Sequence, residues 1–267
     1  MKLMMRALGI LLFSTAISVS AQDLTIVSKV THDGGPPRTA ISYISSDHVR
    51  MSQGDDSETI VDMKSGQMTT LDGKKKTYYI TTRQDMDAFA AKMRDQMNSP
   101  EMKNARQSMK KASSEDQKKM NAAMSSMFAL DVRDAGTTRK VAGYPCENWK
   151  VTMGQFSTSE ECMTNDLKFP ANAWTMYRGF ADSMKSVMSA MGPMANSAAS
   201  MQEQFKKMKG FPLANKTTID IMGHKSVSSS EVTEVRRGPI PASAWDIPAG
   251  YTKIDNPMLK AMARRRR

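Results

Sequence analysis

The sequence predicts a mainly β protein of the α+β class: an antiparallel β shell carrying two methionine-rich helical insertions. Three observations predict it. Short runs of alternating apolar and polar residues recur between turn residues over much of the chain. Two long stretches abandon that period of two for a helical one, and they carry many of the 26 methionines. The first residues have the pattern of a cleavable export signal.

Lys2 and Arg6 form a positive leading region, Ala7 to Val19 an apolar stretch, and Val19-Ser20-Ala21 a small-x-small cleavage pattern. Residues 1–21 are therefore read as a signal peptide, cut after Ala21, with a periplasmic or secreted product. The apolar stretch is too short, and too rich in Ser, Thr and Ala near its end, for a membrane anchor. No cysteine follows the cut to take an acyl group, and no later segment reaches the roughly 20 apolar residues of a spanning helix.

Residues 22–255 read as a single β domain. Asp23 to Thr31 alternates as a strand, and Asp33-Gly34-Gly35-Pro36-Pro37 is a loop. Strands follow at Arg38 to Ile44, His48 to Gln53 and Glu58 to Met63. Gln67 to Leu71 and Lys75 to Thr81 flank Asp72-Gly73, a pair expected to form a tight hairpin because both residues tolerate positive φ. From Arg83 to about Met127 the period is helical: Met86, Phe89, Met93 and Met97 follow one face, and Met120, Met124 and Met127 resume it. Pro100 divides this insertion, and Ser113-Ser114-Glu115-Asp116 reads as a further helix start. Strands return at Ala129 to Arg133, Thr138 to Val141, Pro145 to Met153 and Ser157 to Met163. A second insertion, about 171–208, keeps a 4-3 spacing through Phe180, Met184, Val187, Met191, Met194, Ala198, Met201, Phe205 and Met208, with Gly192-Pro193 expected to kink it. Thr217 to Met222 and Ser226 to Arg236 are strands, and residues 256–267 read as a basic, frayed tail.

At 40% hydrophobic and 6% aromatic residues the core is modest for the length. The formal net charge is +11, of which Lys2 and Arg6 leave with the signal. Lys74-Lys75-Lys76, Lys110-Lys111, Arg236-Arg237 and Arg264 to Arg267 carry much of the rest. Such runs are ordinary solvated faces, and in an exported protein they also favour an anionic envelope surface. Nucleic acid is not expected, because no aromatic residues interleave the basic runs to stack on bases. Cys146 and Cys162, an even pair in an oxidising compartment, read as one disulfide. A hairpin turning near Met153-Gly154-Gln155 would set them directly opposite, on the more polar face with Asn148, Lys150 and Thr152.

Three segments carry a family resemblance: Ile60-Val61-Asp62 with Leu71-Asp72 and Lys76-Thr77-Tyr78-Tyr79; Val141-Ala142-Gly143-Tyr144-Pro145-Cys146-Glu147-Asn148-Trp149; and the close Ile240-Pro241-Ala242-Ser243-Ala244-Trp245-Asp246-Ile247-Pro248-Ala249-Gly250-Tyr251. Together they resemble a bacterial exported domain of unknown function, DUF family 4412, whose members look like the periplasmic lipoprotein carrier and receptor fold (LolA/LolB-like). The resemblance implies a curved, half-open antiparallel β-barrel with the helical insertions covering its concave face. In the lipoprotein carriers that face holds acyl chains.

The methionine stripes admit three readings. A 4-3 apolar spacing suits any buried helical seam. Methionine is unbranched and polarizable, so Met120, Met124, Met127, Met184, Met188, Met191, Met194 and Met201 would equally suit an adaptable surface for a lipid or an exposed hydrophobic segment. Thioethers also suit Cu(I), though no His or Cys lies near Met124 and Met127 or near Met188, Met191 and Met194, and no metal site or cofactor is expected. His32, His48 and His224 are dispersed. No nucleophile elbow, zinc-protease, P-loop or dinucleotide fingerprint occurs. Asp55-Asp56 and Glu160-Glu161 are carboxylate pairs adjacent in sequence; neighbouring residues of an extended chain point to opposite faces, so they make poor acid–base couples. The expectation is a non-enzymatic envelope protein that binds an amphipathic ligand, a lipid or a lipidated protein. The alternatives are a scaffold that pairs its methionine helices with a partner, and a soft-metal binder.

Overall fold

A computed structural model describes residues 23–52, 54, 56–111, 113, 115, 126, 129–167, 203–204, 206–221, 223–257 and 259–260. Six strands come first: β1 (Leu24–His32), β2 (Arg38–Ile44), β3 (His48–Ser52), β4 (Ser57–Asp62), β5 (Met68–Asp72) and β6 (Thr77–Thr81). Helices α1 (Arg83–Met97) and α2 (Pro100–Lys111) follow. Then come β7 (Leu130–Val141), β8 (Tyr144–Met153), β9 (Ser157–Thr164), β10 (Phe211–Ile221), β11 (His224–Arg237) and β12 (Thr252–Lys253). The twelve strands form one sheet in the order β12-β6-β5-β4-β3-β2-β1-β11-β10-β9-β8-β7.

The meander forms as its alternation predicts. Leu24, Ile44, Val49 and Val61 lie opposite one another on four successive strands and are all buried. Each contributes on the order of 1.5–3 kcal/mol of hydrophobic burial. The Asp72-Gly73 hairpin is different from the expectation. Asp72 stays in the ladder opposite Thr77, the turn runs through Gly73 to Lys76, and Lys76 takes the positive φ of 51°. Gly73 serves close approach instead: its N–H donates to the Asp56 carbonyl at 2.7 Å, and a Cβ there would come within 2.8 Å of that oxygen.

Helix α1 starts in a capping box. Thr82 Oγ1 accepts the Asp85 N–H at 3.1 Å, and the Asp85 carboxylate accepts the Thr82 N–H at 2.8 Å. That backbone N–H, and then the Thr82 hydroxyl, hold the Asp85 carboxyl below its ordinary range. The break at Asn98-Ser99 falls where the sequence put it, with Pro100 as the first residue of α2.

Residues 130–141 form one strand, where two were expected. The gap is a bulge: the ladder to β8 slips between Asp134 and Thr138, Gly136 adopts φ +66°, and Asp134 Oδ1 accepts its N–H at 2.8 Å.

The sheet is open. Its edges are β7 and β12, and β12 has two residues paired in parallel with β6, too short an edge to close a barrel. The half-open barrel expected from the resemblance is thus a single open sheet. It nevertheless curls. Arg139 on β7 and Glu231 on β11 pair at 2.8 Å with three strands between them. In a flat sheet those strands would stand about 19 Å apart, at about 4.8 Å per step.

The hairpin register and this curl together account for a second departure. Cys146 and Cys162 are bonded, but Cys162 lies opposite Asn148, so the bridge is diagonal, with the Cα atoms 5.3 Å apart. Nor does it sit on a polar surface. Val141, Leu167, Leu213 and Ala214 pack around it, and both sulfurs' residues are buried. Alternation correctly separates the cysteines from Trp149, yet the folding-over of the sheet encloses a corner that reads as polar along the strand.

The closing segment is seated on the meander by one cation. Arg50, a largely buried side chain, donates from Nε to Glu58 Oε2 at 2.7 Å and pairs with the same oxygen through Nη2. Its Nη1 donates to the carbonyl of Ala244 at 2.8 Å. Trp245, at the end of a short 3-10 helix (Ala242–Trp245), stacks on His48 with centroids 5.2 Å apart and meets Tyr43 edge-on. Arg50→Met leaves Glu58 and a carbonyl without their donor, and is expected to cost about 2–4 kcal/mol. Arg38→Met is the control, because Arg38 and Asp56 are exposed and 3.9 Å apart, a pair worth under about 1 kcal/mol. Urea melts of the two variants check this.

Candidate ligand-binding site

Two rows of side chains cross one face of the sheet from β7, one to β2 and the other to β1. Cross-strand partners face the same way, so the register defines them. The first row is Asp134, Trp149, Glu161, Asn215, Ser230, Val30 and Arg38. The second is Val132, Val151, Ser159, Thr217, Ser228 and His32. Val132 and Val30 are buried, while Trp149, Val151, Ser159, Glu161, Thr217, Ser228 and Ser230 are half-buried. The band mixes one large aromatic ring and aliphatic groups with hydroxyls. Glu160 points to the opposite face, exposed between Lys150 and Lys216.

Glu161 and Trp149 are the unusual members. Burial pushes the Glu161 carboxyl above its ordinary range, and a hydrogen bond from Ser159 Oγ to Oε1 at 2.5 Å pulls part of the way back. Ser159 also shares a hydrogen bond with the Thr217 hydroxyl at 3.0 Å. Trp149 lies opposite Glu161, yet its indole N–H is buried with no hydrogen-bond partner among the described residues. An unsatisfied buried donor costs about 1–3 kcal/mol, and native folds leave few of them.

The raised Glu161 carboxyl has a pH consequence. Below the usual glutamate range the group is neutral in both folded and unfolded chains, and its burial costs little. As pH rises through the raised folded value, that stability is lost. Glu161→Gln is therefore expected to match the parent in acid and to exceed it in stability above that value. Urea midpoints on the two sides of the titration decide it.

At the His32 end of the band lies a cavity of about 220 Å³, lined by Val30, Gly35 and Pro36 together with His32, Arg38 and Lys74. Three turns gather there, since Gly54 packs against Val30 and Arg38, and Gly73 against Asp56. A wider hollow of about 520 Å³ on the other face is lined by both signs of charge, Asp131 with Arg133 and Lys150.

Of the residues singled out in the sequence, Cys146 and Cys162 are placed together. Met120, Met124, Met127, Met184, Met188, Met191, Met194 and Met201 lie outside the described residues. Among the described residues, no group of three or more His, Cys, Asp or Glu is placed to hold a metal, and no helix is long and apolar enough to cross a membrane. Sequence reasoning missed Trp149 and Glu161 as a pair. The signal was present: the alternation that separates Glu160 from Glu161 also puts Glu161 on the face of Trp149.

A family model described as "Domain of unknown function (DUF4412)" matches residues 83–251. The chain belongs to this family. The matched span contains both α helices, the Trp149–Glu161 part of the band and the closing segment that Arg50 anchors. No curated protein matches the DUF4412 chain. Among solved structures it is similar to PNGF-II, at 12% identity and a TM-score of 0.40, covering 91% of this chain and 32% of that one. It is similar also to an uncharacterized conserved protein from Thermus thermophilus, at 8% identity and a TM-score of 0.41, covering 88% and 91%. A LolA superfamily protein, NE2245 from Nitrosomonas europaea, aligns at 5% identity and a TM-score of 0.17, covering 85% and 90%. The chain spans about a third of the length of PNGF-II. Likenesses of this size assign no function.

Proposed function

We propose that this DUF4412 protein is a non-enzymatic, exported binding protein that holds an amphipathic ligand, a lipid or a lipidated protein, on the Trp149–Glu161 face of its sheet. The observation that carries the reading is the band itself: half-buried Trp149 and Val151 run beside the hydroxyls of Ser159, Thr217 and Ser228. An aromatic and aliphatic surface with a few polar groups suits non-covalent retention of a molecule that is part apolar and part polar. The export signal read in residues 1–21 and the net charge of +9 that remains without Lys2 and Arg6 (+11 less 2) fit work beside anionic envelope surfaces.

Native mass spectrometry of the mature protein, purified from an envelope extract without delipidation, tests this. Added mass that matches a lipid or an acylated species and leaves on denaturation supports it. An apo mass throughout, with a partner polypeptide retained instead, shifts the function to a protein-binding scaffold.

A further inference from the structure

The buried Trp149 N–H and the half-buried Glu161 opposite it impose different demands on whatever lies against them. Trp149 Nε1 is a donor only, so it requires an acceptor oxygen. Its cross-strand neighbour does not provide one in this structure: Glu161 Oε1 accepts from Ser159, and the indole N–H has no partner among the described residues. Glu161 demands the absence of a second negative charge, because it is already held in a site that disfavours its own ionisation. A carboxylate placed here would bring two like charges together away from water. An uncharged oxygen acceptor satisfies both conditions. Aliphatic surface lies beside the pair: Val151 is two residues from Trp149 on the same face, and Val132 faces Val151 on β7.

We propose that Trp149 Nε1–H is the polar anchor of the site, donating to the uncharged ester or amide carbonyl that joins an acyl chain to its headgroup, with Glu161 excluding free fatty-acid anions. This rests on the amphipathic-ligand reading above and narrows it to a class, neutral acyl esters and amides.

The experiment uses the mature chain with ¹⁵N-labelled tryptophan. The indole resonance of Trp149 is assigned by its disappearance in Trp149→Phe. Three twelve-carbon probes are titrated: 1-lauroylglycerol, its ether analogue 1-O-dodecylglycerol, which lacks the carbonyl, and laurate. The ester is expected to move the Trp149 indole proton downfield, and the ether is not. Trp149→Phe keeps an aromatic ring and removes the donor, so ester affinity should fall about 3- to 10-fold with ether affinity unchanged, the size of one neutral hydrogen bond. Above the titration of Glu161, laurate should bind less well than the ester, and Glu161→Gln should restore laurate about 3- to 10-fold.

If ester and ether bind alike and leave the Trp149 resonance where it was, the anchor is wrong and a water satisfies the indole, while the binding-protein reading stands. If neither amphiphile binds, both are overturned. Should Trp149→Phe fail to fold, the resonance is assigned by elimination with Trp174→Phe and Trp245→Phe, and its shift in the parent decides the matter.

Discussion

Gly210→Ala is expected to be among the most destabilising single changes in this protein, costing about 3–5 kcal/mol from backbone strain and overpacking together. Gly210 immediately precedes β10 and adopts φ +94°, a conformation that side-chain-bearing residues rarely take. A Cβ there would stand 2.6 Å from the carbonyl carbon of Thr164 and overlap its oxygen. Neither neighbour is free to yield. Thr164 is buried at the end of β9, and Phe211 pairs with it to open the β9–β10 ladder. Moving Gly210 would displace Phe211, and behind it the buried Leu213 and Ala214. The comparison is Gly143→Ala, where φ is +84° but nothing lies within 4 Å of the added carbon, so strain acts alone and the cost is about 1 kcal/mol. Urea or thermal unfolding of the two variants separates the effects. Equal losses would mean that the Thr164 contact relaxes easily.

The second large effect is loss of the disulfide. Replacing both Cys146 and Cys162 with Ala is expected to cost about 3 kcal/mol from loop closure alone, since their sequence separation is 16. A further loss comes from the space left in the core, where Val141, Leu167 and Leu213 are buried around the bridge. Burial also predicts kinetics: reduction by a thiol under native conditions should be slow, and should accelerate once the β7–β9 corner is opened by denaturant. The denaturant midpoint of the Ala/Ala variant, against that of the parent with and without reductant, measures the first effect. A midpoint equal to that of the parent would remove the bridge from the stability account.

Much of the sheet was legible because its strands are short and amphipathic. In β1 the buried residues Leu24, Ile26 and Val30 fall at even positions, and a single-residue slip would expose all three, so pattern and register specify each other. The α1–α2 break was legible because proline enforces it locally. Two local readings failed for a common reason. Asp72-Gly73 had the chemistry of a tight turn, but Asp56 lies against Gly73 and leaves no room for anything larger, so the glycine was needed for contact across the fold. The gap between Arg133 and Thr138 looked like a break, but a bulge absorbs it within one strand.

The candidate site was less legible. Trp149 and Glu161 are twelve positions apart and ordinary in isolation. Their pairing depends on a hairpin register that the sequence reading set one step away, through a shorter turn. The Arg50 anchor was hidden in the same way, since its acceptors come from Glu58 and from a carbonyl at Ala244.

The sequence by itself determined the β1–β6 meander, the α1–α2 break, the covalent pairing of Cys146 with Cys162, and membership of the family, because each rests on local periodicity or on a single chemical partner. Only the tertiary structure decided that the sheet stays open with two-residue β12 at its edge. Only it decided that the disulfide is core, and that Trp149, Glu161, Val30 and Arg38 stand in one row. Those outcomes depend on curvature and register, which are set by strands far apart in the chain and carry no signal in any one of them.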